Sequence, residues 1–151
     1  MRAINHALTG SIIGFSVGNP IAIPIAFASH FVLDSLPHYG DRSRSEVEVH
    51  NSKEFKILLI VDAFLCGLLV IILGINGVTD WQLAALCAFA GASPDLFSVP
   101  RFKRSITEKK EYVGNAFQRF HKKIQWGEKP WGKYVEIVWF IASVVILAII
   151  I

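Results

Sequence analysis

No Lys or Arg occurs between Ile57 and Pro100. A stretch of that length without a cation, broken only by Asn76-Gly77 and Asp80, is hard to reconcile with the surface of a soluble domain. It suits a chain that crosses lipid, where a helix needs about 20 mostly apolar residues. Phe55 to Ile75, Trp81 to Pro100 and Tyr134 to Ile151 each come close to that requirement, and the chain as a whole is 53% hydrophobic. Cys66 and Cys87 both fall inside apolar segments, where they read as small buried hydrophobes.

Residues 1–38 are apolar but punctuated by Gly10, Gly14, Gly18, Asn19, Pro20 and Pro24. Ala26-Phe27-Ala28 resembles a signal-peptidase site, yet the interrupted stretch before it is unlike a continuous leader, so the segment is expected to be structure. Gly18-Asn19-Pro20 predicts a turn between a short first helix and a second that stops near Pro37. Glycines every fourth residue give the first helix a face that lets another backbone approach closely. The expected fold is all-α, a polytopic membrane bundle of about five helices in one domain, over 6–18, 21–36, 55–75, 81–98 and 134–151. Residues 39–54 read as a polar loop with room for a short helix, in which His50 is expected to be solvated.

Residues 101–133 carry ten of the fifteen Lys and Arg residues against Glu108, Glu111 and Glu128. The positive-inside rule puts this basic segment in the cytoplasm. Threading the chain back then puts Arg2, Arg42, Arg44, Lys53 and Lys56 on the same side, and the turns at Asn19 and Asn76 to Asp80 outside. Within the segment, Phe117, Phe120 and Ile124 alternate with Arg119, Lys122 and Lys123 in the pattern of a basic amphipathic helix lying against anionic lipid. Aromatic interleaving is too sparse to suggest a nucleic-acid partner.

In this topology the ionisable residues fall at one depth. His6, His30, Asp34, His38, Asp62, Asp95 and Glu136 all lie near the cytoplasmic face. His30 and Asp34, four apart on a helix, share a stripe and can reach one ion. Pro37 alters the path before His38, which is a further candidate, and His121 sits on the apolar side of the amphipathic helix, where it could point to the same place. A buried carboxylate costs a few kcal/mol without compensation, and no cation lies in the same helices as Asp34, Asp62 and Asp95, so one supplied from solution is expected. Imidazole and carboxylate donors suit zinc, with manganese or iron as alternatives.

His6-Ala7-Leu8-Thr9-Gly10, His30-Phe31-Val32-Leu33-Asp34 and Gly91-Ala92-Ser93-Pro94-Asp95 together resemble bacterial inner-membrane proteins identified as metal-dependent hydrolases, which carry His-x-x-x-Gly, His-x-x-x-Asp and Gly-x-x-Pro-Asp motifs. A more distant similarity is to zinc-dependent phospholipase C. The resemblance implies a metal bound by His6, His30, Asp34 and Asp95, with Asp62 and His38 as further ligands. The family's turn often continues to another acid and a His, whereas Asp95 is followed by Leu96-Phe97-Ser98; His121 is the candidate to supply the missing ligand. The expected function is hydrolysis of a phosphoester, in a phospholipid or lipid-linked substrate, with Asp34 or Asp62 taking a proton from water. The alternative is a non-enzymatic membrane protein using the same residues for ion or proton binding or transport; a homo-oligomer would supply the internal repeat that this chain lacks.

Overall fold

A computed structural model describes residues 1–41, 43–111 and 114–151; Arg42, assigned above to the cytoplasmic side, lies outside them. The described residues are overwhelmingly helical. In chain order they form α1 (Ala3–Val17), α2 (Ala22–Ser35), α3 (Glu46–Asn51), α4 (Lys53–Asn76), α5 (Trp81–Leu96), α6 (Val99–Thr107), α7 (Ala116–Ile124) and α8 (Gly132–Ile150). One small parallel pairing joins β1 (His38–Tyr39) to β2 (Glu128–Lys129).

Three of these stretches are long and apolar enough to cross a membrane: Lys53–Asn76, Trp81–Thr107 (α5 continuing into α6) and Gly132–Ile150. The other two apolar helices, α1 with 15 residues and α2 with 14, rise only about 21–23 Å at 1.5 Å per residue, short of the roughly 30 Å of a hydrocarbon core. The expected five membrane helices therefore resolve into three of spanning length and a shorter hairpin. Gly18, at φ 65°, ends α1, and Gly77, at φ 59°, ends α4, the left-handed termini that the Gly-Asn and Asn-Gly turns predict.

The centre of the bundle is α1, whose buried face is largely small or polar: Asn5, His6, Ala7, Gly10, Ser11 and Gly14. A Cβ at Gly10 would stand 2.2 Å from the Cys87 carbonyl oxygen, and one at Gly14 2.7 Å from the Ala84 Cα. Such contact leaves no room for side chains, and in lipid, where apolar surface gains little by leaving the solvent, close backbone packing is what holds helices together. Gly18 takes no part in it. By contrast α4 buries only Leu69 and Leu73 and exposes Ile57, Ile60, Phe64, Ile71 and Ile75, as a helix facing acyl chains would.

Pro94 lies inside α5 and withdraws the amide that would bond Ala90. The Ser93 hydroxyl donates to the Ala90 carbonyl at 2.9 Å instead, so the helix passes the proline without leaving that oxygen bare. The helix thereby runs on to Leu96 and delivers Asp95 to the end of the bundle.

Two features of the connecting segments differ from the sequence expectation. His50 is buried rather than solvated: the Ser45–Glu48 capping box starts α3, which lays the imidazole between Phe55 (ring centroids 5.0 Å apart) and Phe102 (4.7 Å). Burial, with Arg101 nearby, pushes its pKa below the usual value. The basic segment also holds more than the amphipathic helix expected in it, because α6 extends α5 and the β1–β2 pairing ties the exit of α2 to the approach to α8. Gly127 permits that crossing, since a Cβ there would fall 2.5 Å from the Leu36 carbonyl oxygen.

Candidate metal centre

The N-terminus of α1, the C-termini of α2 and α5, the N-terminal half of α4, the start of α8 and the inner face of α7 meet at one end of the bundle. There, ligand atoms of His30, Asp34, Asp95 and His121 all lie within 4.8 Å of one another, a group able to hold a metal ion. His30 Nε2 stands 3.3 Å from Asp34 Oδ2 and 3.8 Å from Asp95 Oδ1. His121 Nε2 stands 2.8 Å and 3.9 Å from the same two oxygens and 2.9 Å from His30 Nε2. Four donors about 2.0 Å from a common ion would be spaced by about 3.3 Å in a tetrahedron, and these separations bracket that value.

The donor set passes a stricter test at His30. Its Nδ1 donates to the Gly91 carbonyl at 2.8 Å, which commits the proton of the neutral ring to that side and turns the Nε2 lone pair toward the other three residues. Metal-binding imidazoles are ordinarily oriented by an acceptor of this kind. Gly91 must be a glycine for a second reason: a Cβ would come 2.6 Å from the His6 carbonyl oxygen. The first residue of the Gly-x-x-Pro-Asp motif, helical throughout, thus orients one candidate ligand while the last supplies another.

Helix α7 brings His121 to the group. The reciprocal Asn115–Gln118 capping box fixes the start of the helix, and the Gln118 side chain also donates to the Phe97 carbonyl at 2.6 Å. Phe117 packs on Phe97 at 5.0 Å and on Phe31 at 6.0 Å, so α7 is seated across the ends of α2 and α5 by aromatic contacts. His121 and Phe117 lie on one face of α7 because they are four residues apart.

Asp34 is the hub of the group and has no solvent exposure. Its Oδ2 faces His30 and His121 and accepts from Gln125 Nε2 at 3.2 Å; its Oδ1 faces His6 Nε2 at 3.1 Å and the amino nitrogen of Met1. His6 is therefore adjacent to the four-residue group, stacked on His30 at 3.8 Å, rather than a member of it. Asp95 is the member open to the outside, with its side chain 32% exposed while those of His30, Asp34 and His121 are at most 3% exposed.

The remaining sequence candidates stand apart from the four. His38 is buried with Nδ1 on the Leu36 carbonyl at 2.8 Å. Asp62 pairs with Arg2 Nε at 3.2 Å and accepts from the Ala3 amide at 3.2 Å, while Glu136 accepts from the Arg2 amide at 3.1 Å. Two carboxylates from distant helices thus satisfy amides at the start of α1, which has no side-chain cap of its own. For Asp62 the compensating cation expected from solution comes from Arg2. Asp62→Ala is accordingly expected to lower stability by about 2 kcal/mol, through the lost cap and ion pair, while leaving metal content unchanged; paired unfolding and elemental measurements on the purified variant check this.

Gln125, Arg2 and the Met1 amino group, which stands beside Asp34, are participants that sequence reading missed. None carries a spacing signal, since Gln125 meets Asp34 across 91 positions, Met1 meets Asp34 across 33 and Arg2 meets Asp62 across 60. Comparison of the chain with protein-family models, with curated proteins and with solved structures returned no match.

Proposed function

We propose that this chain is a membrane-embedded, metal-dependent hydrolase that cleaves a phosphoester in a lipid or lipid-linked substrate at the cytoplasmic face of a bacterial-type inner membrane. The observation that carries the reading is the convergence of His30, Asp34, Asp95 and His121 at one end of a bundle containing three stretches of membrane-spanning length. In this reading α1 and α2 complete a five-helix membrane domain, with the basic segment and Arg2 on the cytoplasmic side.

Two imidazoles and two carboxylates are a donor set that suits zinc, with manganese and iron next. When bound, such an ion supplies a Lewis acid and brings the pKa of a coordinated water near neutrality. The chain's own residues do the rest. His30, held by Gly91, and His121, held by α7, orient the site; Asp34, saturated by its partners, fixes the spacing between them. Asp95 is the most exposed carboxylate of the group, and in this reading it accepts a proton from water. That role passes to Asp95 from Asp34 and Asp62, both of which are already occupied by fixed partners.

Groups clustered at one end serve a bond in a lipid head group better than a path across the bilayer. The test is hydrolysis of a panel of phospholipids in mixed micelles, with and without chelator. Activity that disappears with chelator, returns with zinc or manganese, and falls at least about a hundredfold in His121→Ala supports the proposal. Hydrolysis indifferent to both treatments would refute it.

A further inference from the structure

A second feature lies on the opposite side of α7. A cavity of about 400 Å³ opens between α3, α6 and α7, lined by Glu46, Arg101, Gln118, Arg119, Lys122 and Lys123. Glu111 at its rim is the other acidic group, so cations outnumber carboxylates four to two. They are not equivalent. Arg101 and Lys122 both bind Glu46, Arg101 Nε at 2.8 Å, and burial of that carboxylate is outweighed by these partners, which hold its pKa below the usual range. Gln118 is spent on the cap of α7 and on Phe97. Arg119 and Lys123, one turn apart on the same helix, have no carboxylate partner among the described residues; Arg119 makes one bond, to the Gly114 carbonyl at 3.1 Å.

The surroundings indicate what such cations would meet. Phe120, Trp126, Trp131 and Tyr134 are all more than half exposed at this end of the bundle, on α7, on the approach to α8 and in its first turn. Exposed Trp and Tyr at the end of a spanning helix mark the level of lipid head groups, and an apolar residue beside basic ones on an amphipathic helix marks the same level. A cavity with two uncommitted cations at that depth faces phosphate.

We propose that this cavity is a binding site for the phosphate of an anionic membrane lipid, gripped by Arg119 and Lys123 against the fixed wall formed by Glu46, Arg101 and Lys122. The proposal rests on reading this end of the bundle as the membrane boundary, and it adds to the hydrolase reading a lipid contact distinct from the bond to be cleaved. The two sites share α7, whose inner face carries His121 and whose outer face carries Arg119, Lys122 and Lys123. A lipid held in the cavity would therefore steady the helix that completes the metal centre.

Native mass spectrometry of the full chain, released from neutral detergent with added phosphatidylglycerol, phosphatidylcholine or glycerol phosphate, tests the site. A phosphatidylglycerol adduct is expected that phosphatidylcholine does not replace, weakened about thirtyfold in Arg119→Gln/Lys123→Gln and unchanged in the control Lys109→Gln/Lys110→Gln. Equal weakening in both variants would mean diffuse charge attraction and would overturn the site. Phosphatidylcholine binding equally well, or glycerol phosphate competing as strongly as the lipid, would overturn the assignment to an anionic lipid. Metal measured in the same samples separates the two readings: retained metal with no lipid selectivity sinks this inference alone, and lipid selectivity without metal sinks the hydrolase alone.

Discussion

Asp34→Asn is expected to reduce metal affinity at least a hundredfold. Partners that merely orient metal ligands commonly contribute 10- to 100-fold, and Asp34 is both a ligand candidate and the group on which His6, His30, His121 and Gln125 converge. The amide keeps the shape of the carboxylate but loses its charge and one acceptor. With no exposure to water, the imidazoles facing it would lose their common acceptor, at a cost of about 3 kcal/mol to the metal-free fold. The two effects are measured separately. Added zinc at a thousand times its Kd for the wild-type protein should raise the stability of that protein by about 4 kcal/mol and that of the variant by no more than about 1.4 kcal/mol. Equal stabilisation of both proteins would remove Asp34 from the ligand set.

Gly91→Val should have the next largest effect, and on packing and site together. The first added carbon would lie 2.6 Å from the His6 carbonyl oxygen, a backbone atom that a rotamer change cannot move aside. Relief requires α5 to withdraw from α1, which also displaces the carbonyl that holds His30 Nδ1. Overpacking in cores costs 1–3 kcal/mol, and a backbone-to-backbone clash belongs at the upper end, so a loss of about 3 kcal/mol with much weaker metal binding is expected. Gly67→Val is the matched control. Nothing lies within 4 Å of a Cβ there, on the largely exposed helix α4, and a change within about 0.5 kcal/mol is expected from unfolding in detergent. Comparable losses at the two positions would show that glycine as such, rather than the α1–α5 contact, matters.

Much of this architecture was legible in the chain because long apolar helices declare themselves locally. Apolar length, the absence of cations from Ile57 to Pro100 and the Gly-Asn and Asn-Gly turns locate α1, α2, α4, α5 and α8 to within three residues. The His30–Asp34 spacing located half of the metal group for the same reason, since four residues on a helix guarantee a shared face. His121 was reachable only as a conjecture. Its helix is readable from Asn115 and Gln118, but its docking depends on Phe31 and Phe97, which lie far away in sequence.

What stayed illegible is non-local. Arg2 beside Asp62, Gln125 beside Asp34, and β1 beside β2 join parts of the chain with no shared periodicity. His50 was misjudged because a polar neighbourhood in sequence says little about what a short capped helix packs against. The reading of Asp62 and Asp34 as proton acceptors rested on depth, and depth does not show their neighbours, Arg2 beside Asp62 and the imidazoles around Asp34.

The central claim is that His30, Asp34, Asp95 and His121 hold a metal ion, and elemental analysis tests it most directly. Protein purified in detergent without chelators, then offered zinc, manganese and iron and freed of excess, should retain stoichiometric metal, and His30→Ala/His121→Ala should retain none while still unfolding cooperatively. Wild-type protein that holds no metal under these conditions, or a double variant that holds as much as the wild type, would contradict the account. With metal-free wild type the hydrolase reading would give way to ion or proton binding by the same residues.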